Sequence, residues 1–280
     1  MSLSVIIPAY KAAQTIERAL RSVAIQTLQP TEVIVVDDGS GDGTFEAAEN
    51  FKGQLPGVDL KVIQQQNLGA GAARNRAIAE ATGDWLAFLD ADDEWLPDKL
   101  ETSLSAIQQH DLVLHGHNYL AVNGTDQMLV DCAARYDAAA DPYIGLYRKG
   151  YLATSTVVVR RDAVMAAGGF DETLATAQDF DLWLKILKNK DVAFRVEPPV
   201  LTRYHVIPGS ITSHTKRRLD CSLRIARRHA PGILDHCYRT TAVHYEAIAA
   251  ARGKGHPVAA FGYALHLLWA LPVAVFTNRG

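Results

Sequence analysis

The feature that most constrains the fold of this 280-residue chain is an alternation of short apolar runs with helix-like stretches. The runs lie at 3–7, 32–36, 60–65, 85–89 and 112–115. Between the first two, Ile16, Ala19, Leu20 and Val23 fall at i, i+3, i+4 and i+7, the spacing of one helix face. Strands that alternate with helices need crossover connections, and crossovers give parallel pairing with helices on both faces. The predicted fold is therefore α/β, a mostly parallel central sheet flanked by helices. Such sheets bind ligands at the carboxyl ends of their strands, where the strand order reverses. The loops after the apolar runs are where chemistry is to be sought.

Further along, Pro97 stands where a helix begins, with Leu100, Leu104 and Ile107 as its apolar stripe. Periodicity is poor over 123–151, which predicts a long, partly mobile connection. A strand over 156–160 and a helix over 179–188 follow, the latter with Leu182, Ile186 and Leu187 on one face. After about residue 213 the strand signal stops, and 216–229 and 238–252 read as helices, the first rich in arginine. The expected organisation is a domain over 1–215 and a C-terminal helical tail over 216–280. Within the tail, 257–276 is apolar over a length that matches the roughly 20 residues of a bilayer span, yet it holds Tyr263, His266 and Pro272. A span, a buried tail helix and an interfacial helix in peripheral membrane contact all remain open.

A net charge of −3 gives no electrostatic reason to expect a nucleic-acid partner. Cys132, Cys221 and Cys237 have no metal-knuckle or redox spacing and fit a reducing, cytoplasmic setting. The amino terminus enters its first apolar run without a basic leader, and that run is expected to be a strand.

Four segments could carry chemistry. After the second run come Asp37, Asp38 and a glycine-rich turn leading to Thr44. After the fourth run, Asp90, Asp92, Asp93 and Glu94 crowd five positions, and like charges held so close repel unless a cation or proton intervenes. Magnesium or manganese suits such oxygen donors and bridges one or two carboxylates to substrate phosphates. The stretch 67–76 sets glycines and Arg74 at a helix start, where anions are favoured, but lacks the G-K-[ST] of a phosphate-binding P-loop. In 176–183, Asp179 and Asp181 are two apart on a helix, so only one is expected to face a given cleft. Taken singly, each segment is also explained by turn or helix-capping acids and a surface arginine.

In order, these segments resemble the family 2 glycosyltransferases: P-A-Y after the first strand, V-D-D-G-S-x-D-x-T, N-x-G-x-x-x-A-R-N, F-L-D-x-D-D and D-x-D-L-W, over roughly 2–215. The resemblance implies an A-type nucleotide-diphospho-sugar transferase fold and a nucleotide-sugar donor, a UDP-sugar in particular. It implies that Asp38 reads the nucleobase edge, that Pro8, Ala9 and Tyr10 line the base with Arg74 near it, and that Asp90 lies near the ribose or sugar. Asp92 is the implied ligand of a Mn2+ or Mg2+ ion, with His205 as a candidate second, and Asp179 the implied base. Gly169, Phe170 and Trp183 are implied on the acceptor side. Departures from the pattern are Lys11 for a common asparagine, Gln178 for the acid before the base, and His205 for a common arginine.

The implied reaction is an inverting transfer to an acceptor hydroxyl, in cell-surface polysaccharide or glycan synthesis. The acceptor is a carbohydrate or a lipid-linked sugar, the latter reached at the inner membrane face. Alternatives are a nucleotidyltransferase, although the segment 8–13 lacks the glycine-bearing loop those enzymes carry, and a non-catalytic nucleotide-sugar-binding protein. A dehydrogenase is set aside for want of G-x-G-x-x-G after the first strand.

Overall fold

The computed structural model describes residues 1–207 and 215–277. One half of its sheet is the parallel set β3-β2-β1-β4, formed by β1 (Leu3–Ala9), β2 (Glu32–Asp37), β3 (Asp59–Gln64) and β4 (Trp85–Phe88). These strands are apolar because both faces are covered, and the period of two divides their side chains between two cores. Leu3, Val5, Ile7, Val33 and Val35 pack with Ile16, Leu20 and Val23 of α1 (Ile16–Ala24) and with Leu100, Leu104 and Ile107 of the helix Lys99–His110. Ile6, Ile34, Val36, Leu86 and Phe88 point the other way, onto Ala73, Ala77 and Ile78 of the helix Ala70–Glu80 and Leu182, Trp183 and Ile186 of the helix Gln178–Leu187. Numbering the helices in chain order, with α2 at Thr44–Glu49, makes these last three α4, α3 and α8.

Beyond β4 the sheet becomes mixed. β8 (Val158–Arg160) runs antiparallel to β4 and to β6 (Leu114–Asn123), and β6 pairs in parallel with β9 (Phe194–His205). A two-residue strand β5 (Glu94–Trp95) closes the edge against β9. Neither β9 nor the length of β6 was apparent in the sequence, because Pro198-Pro199 interrupts the strand pattern and the β6–β9 register shifts around Asn118.

The predicted mobile connection over 123–151 is instead ordered. β7 (Asp126–Val130) folds back on β6 through a turn at Gly124, whose φ of 62° is left-handed. α5 (Cys132–Asp137) and α6 (Pro142–Lys149) follow, capped by the Asp131 and Asp141 carboxylates, which accept from Ala134 N at 2.9 Å and Tyr143 N at 2.9 Å. Elements this short cannot display a helical period, so the signal lay in their caps and in Asn123-Gly124.

With α7 at Arg161–Ala166, the tail supplies α9 (Thr215–His229), α10 (Ile233–Gly253) and α11 (Pro257–Thr277). α9 is not separate from the sheet domain: Cys221 and Ile225 join the main core, and the Tyr147 hydroxyl donates to Ala226 O at 2.8 Å. The division expected at 215/216 therefore cuts through one core. Residues 208–214, part of the segment that follows His205, lie outside the described residues.

Candidate active site

β1 is the switch point of the sheet, since β2 and β3 extend to one side of it and β4 lies on the other. The loops after β1, β2 and β4 therefore open on one crevice. Leaving β1, the chain buries Pro8 and Ala9 and exposes Tyr10, so of the three residues implied to line a base only Tyr10 offers a free ring. Lys11 follows with φ 52° and its ammonium 5.3 Å from that ring. Its backbone is pinned by N–H donation to Ser40 Oγ at 2.8 Å.

After β2, Asp37 and Asp38 are both buried. Asp38 accepts from Gln65 Nε2, Leu68 N and Gly69 N at 2.8, 2.9 and 2.7 Å, so it shapes the loop that leads into α3. The carboxylate implied to read a base is thus bonded within the chain. Beside it lies an open recess of about 600 Å3 lined by Gly39, Gly41, Gln64, Gln65, Gln66 and Asn67. Gly39 has φ 72°, and a Cβ there would come within 3.0 Å of Asn67 N, so no other residue fits.

After β4 the acids divide. Asp90 Oδ1 accepts from the buried Arg74 at 2.6 Å. Asp93 is wholly buried and structural: it accepts from Ser155 Oγ at 2.5 Å and from His205 N at 3.0 Å, which ties β9 to this loop. Glu94 pairs with Arg203 at 3.0 Å. Asp92 has no side-chain partner among the described residues, while Arg18 holds its backbone carbonyl. Burial and the neighbouring Asp90 carboxylate push its pKa up to about 6.

An ionised Asp92 is therefore short of a cation. His205 reaches the same rim with a buried Nε2 that has no hydrogen-bond partner among the described residues and stands 3.7 Å from Glu94. Among the described residues no three potential ligands cluster. A magnesium or manganese ion that takes most of its ligands from water and substrate phosphates needs only one or two protein donors, so Asp92, without a side-chain partner among the described residues, fits such an ion.

Asp179, in the first turn of α8, completes the crevice. Ala177 before it adopts φ 58°, which turns the chain into the helix, and the Thr154 hydroxyl donates to Asp179 Oδ2 at 2.8 Å. Oδ1 accepts no hydrogen bond among the described residues. Asp181 points the opposite way and is fully buried. It accepts from Arg228 and from His229 at 2.8 Å each and faces the Lys185 ammonium at 2.9 Å. Burial alone would raise its pKa, but these partners hold it down to about 2. Only one of the two acids faces the cleft, as the helical spacing requires.

Arg74 joins the parts. Burial works against its charge, but the carboxylates of Asp90, Asp179 and Asp92 outweigh this and raise its pKa. Its guanidinium stacks 5.3 Å from the Phe170 ring. Phe170 and Trp183 are themselves buried, edge to face with Phe88, so neither ring is open at the surface. Gly169, at φ 69°, lies where a Cβ would strike Asn75 Oδ1 at 2.7 Å.

Sequence reasoning missed Asn75, which clasps Phe170 through N–H and C=O at 2.9 Å each, although it stands inside the A-R-N motif. Thr154 and Ser155 were missed as well, for they lie in a 3-10 turn before β8 that carries no periodic signal. Tyr119 and Tyr204, with ring centroids 5.8 Å apart, border the acids from β6 and β9.

A family model described as "Glycosyl transferase family 2" matches residues 4–163, and "Glycosyl transferase family group 2" matches 85–277. The chain belongs to glycosyltransferase family 2. As a member of that family it is an enzyme that transfers glycosyl groups. It is 31% identical over 232 residues to the amylovoran biosynthesis glycosyltransferase AmsB of Erwinia amylovora, covering 80% of this chain and 76% of that one. It is 28% identical over 219 residues to the UDP-Glc:alpha-D-GlcNAc-diphosphoundecaprenol beta-1,3-glucosyltransferase WfgD of Escherichia coli, covering 78% and 82%. S. aureus TarS 1–349 in complex with UDP-GlcNAc shares the fold at TM-score 0.66 and 19% identity, covering 100% of this family 2 chain and 92% of TarS 1–349. The mannosyltransferase PcManGT from Pyrobaculum calidifontis, in complex with GDP-Man and Mn2+, does so at TM-score 0.66 and 20% identity, covering 99% and 86%.

Proposed function

We propose that this glycosyltransferase moves a sugar from a UDP-sugar to the hydroxyl of a lipid-linked sugar acceptor, with inversion at the anomeric carbon, in cell-surface polysaccharide synthesis. The observation that carries the reading is the convergence of Asp90, Asp92 and Asp179 on Arg74 across one crevice at the sheet's switch point. The polysaccharide setting is supported by AmsB, and the lipid-diphosphate acceptor by WfgD. The UDP-sugar is supported by the donors of WfgD and TarS, and the divalent ion by PcManGT.

In this reading the base stacks on Tyr10 and reaches the recess lined by the amides of Gln64, Gln65 and Asn67. Arg74 fixes the Asp90 carboxylate for the ribose or sugar hydroxyls. Asp92 and His205 would hold Mn2+ or Mg2+, which would supply neutralisation of the charge that grows on the departing diphosphate. Asp179 accepts the acceptor proton at Oδ1 while Thr154 holds Oδ2, and a lone base without a covalent intermediate gives inversion.

The acceptor diphosphate is assigned to a recess of about 460 Å3 lined by Thr173, Lys216, Arg217, Asp220 and Arg224. A thermal-shift panel of UDP-, GDP- and dTDP-sugars with and without manganese tests the donor assignment. Stabilisation by UDP-sugars that grows with manganese is expected; equal response to every nucleotide, or to none, contradicts it.

A further inference from the structure

α11 has no Asp, Glu, Lys or Arg between 257 and 277, and at 1.5 Å per residue its 21 residues run for about 31 Å. Only 11% of its apolar window Pro257–Val275 is buried, which overturns the reading of a buried tail helix. Val258, Phe261, Leu265, Leu268 and Trp269 form one exposed stripe, with Phe261 at 65% and Trp269 at 77% exposure. Ala260 and Ala274, near the two ends, face inward and are buried. A stripe this large on a free surface has to be covered by something.

Three observations name what covers it. A helix that is apolar on every side is either packed inside protein or set in lipid. α11 carries no Asp, Glu, Lys or Arg on any side. Second, the sequence has no acid after Glu246, whereas Arg252 precedes α11 and Arg279 follows it in the chain, a polarity suited to anionic headgroups. Third, α11 cannot cross the bilayer without abandoning α10. The two lie antiparallel and pack along each other, joined by His244 Nε2 and His266 Nδ1 at 2.8 Å. α10 bears Arg239, Glu246 and Arg252, which hydrocarbon does not accept.

We infer that α11 lies in the plane of the membrane interface, its Phe261–Trp269 stripe sunk among the acyl chains and headgroups, and seats the enzyme on an anionic bilayer. The membrane face connects through α10 and α9 to α8, which carries Asp179. On the proposed reading of a lipid-linked acceptor, this sets the acceptor side of the crevice toward the bilayer. Membrane seating itself is measured without reference to catalysis, so the two readings fail separately.

The test is flotation of the full chain with vesicles of phosphatidylcholine containing phosphatidylglycerol, and with phosphatidylcholine alone. The wild type is expected to float with the anionic vesicles, and a Phe261→Asp/Trp269→Asp double variant to lose about tenfold or more of the bound fraction. Both side chains are exposed, and an unchanged melting temperature in the double variant verifies that it folds. A wild type that stays at the bottom of the gradient overturns the inference, as does a variant that floats equally well. Resistance to alkaline carbonate extraction identifies a span and also overturns it. So does a lipid-free dimer that the same substitutions dissociate. Failure of UDP to stabilise the wild type leaves flotation untouched and strikes only the donor assignment.

Discussion

Asp179 and Asp92 are both carboxylates at the crevice, and their surroundings suit them to different tasks in the proposed reaction. Among the described residues Asp179 Oδ1 accepts no hydrogen bond while Oδ2 is anchored by Thr154, an arrangement that suits the proposed base. Asp179→Asn preserves the shape and removes the basic site, so kcat is expected to fall about 10²- to 10⁴-fold with UDP affinity unchanged. Steady-state kinetics with calorimetry check this, and a parallel loss of affinity contradicts the role. Thr154→Ala leaves the carboxylate unanchored and is expected to lower kcat more than it changes the acceptor KM. A different lesson comes from Lys99, which is wholly buried over the Trp95 ring at 4.0 Å, its ammonium without a hydrogen-bond partner among the described residues. Burial drives its pKa well below the usual lysine range. The unfolded chain therefore binds a proton that the native state releases, and this lysine penalises folding most at neutral and low pH, the penalty fading as pH rises toward the ordinary lysine pKa. Lys99→Met is expected to raise stability by about 1–3 kcal/mol near pH 7, read by urea unfolding. No gain at pH 7 would show that the ammonium is solvated in the native protein.

At the scale of elements, the clasp between α8 and α9 holds the helix that carries Asp179, the proposed base. Asp181, two residues beyond Asp179, is gripped by Arg228 and His229 of α9 and by Lys185. Removing its charge strands these cations, and Asp181→Asn is expected to cost about 3–5 kcal/mol in thermal or urea unfolding. The pH dependence has a definite sign. The native pKa is held at about 2, below the ordinary aspartate value of 3.8, so the contribution is complete above that value and lost as pH falls toward 2. Acid unfolding of Asp181→Asn is expected to lack this component; an identical acid profile contradicts the assignment. Much of the element plan was legible. Val-rich strands buried on both faces left continuous apolar runs, and α1 and α4 left periodic stripes. Illegible were α5, α6 and β7, whose five to eight residues are too few for a period to emerge. β9 was hidden by its paired prolines.

Considered whole, the molecule is a parallel half-sheet that builds the proposed nucleotide side and a mixed half that carries β8, β9 and the parts proposed to meet the acceptor. The loops of the proposed nucleotide side were legible in position because they stand directly after strands. The supporting contacts were not. Phe170 and Trp183 stand near the acceptor side in sequence order, yet packing against Phe88 removes them from any surface. Asp38 carries the right charge for a base edge, but three hydrogen bonds turn it inward. Sequence order identifies which residues converge and leaves open which atoms remain free once they have. The same limit explains Asp93, adjacent to Asp92 and absorbed by Ser155 and the His205 amide. On the acceptor side, exchanging Lys216 and Arg217 for glutamate is expected to raise the KM for a diphosphate-linked acceptor about tenfold or more, with donor affinity unchanged. An unaltered acceptor KM in steady-state kinetics removes the recess from the acceptor path.

The central claim is that Asp92 carries a cation that receives a nucleoside diphosphate, and titration calorimetry of UDP with and without manganese tests it most directly. Wild type is expected to bind UDP at least about tenfold more tightly with manganese, and Asp92→Ala to bind it weakly and equally in both conditions. Equal affinity for the wild type with and without the metal, or a full manganese effect surviving in Asp92→Ala, would contradict the account.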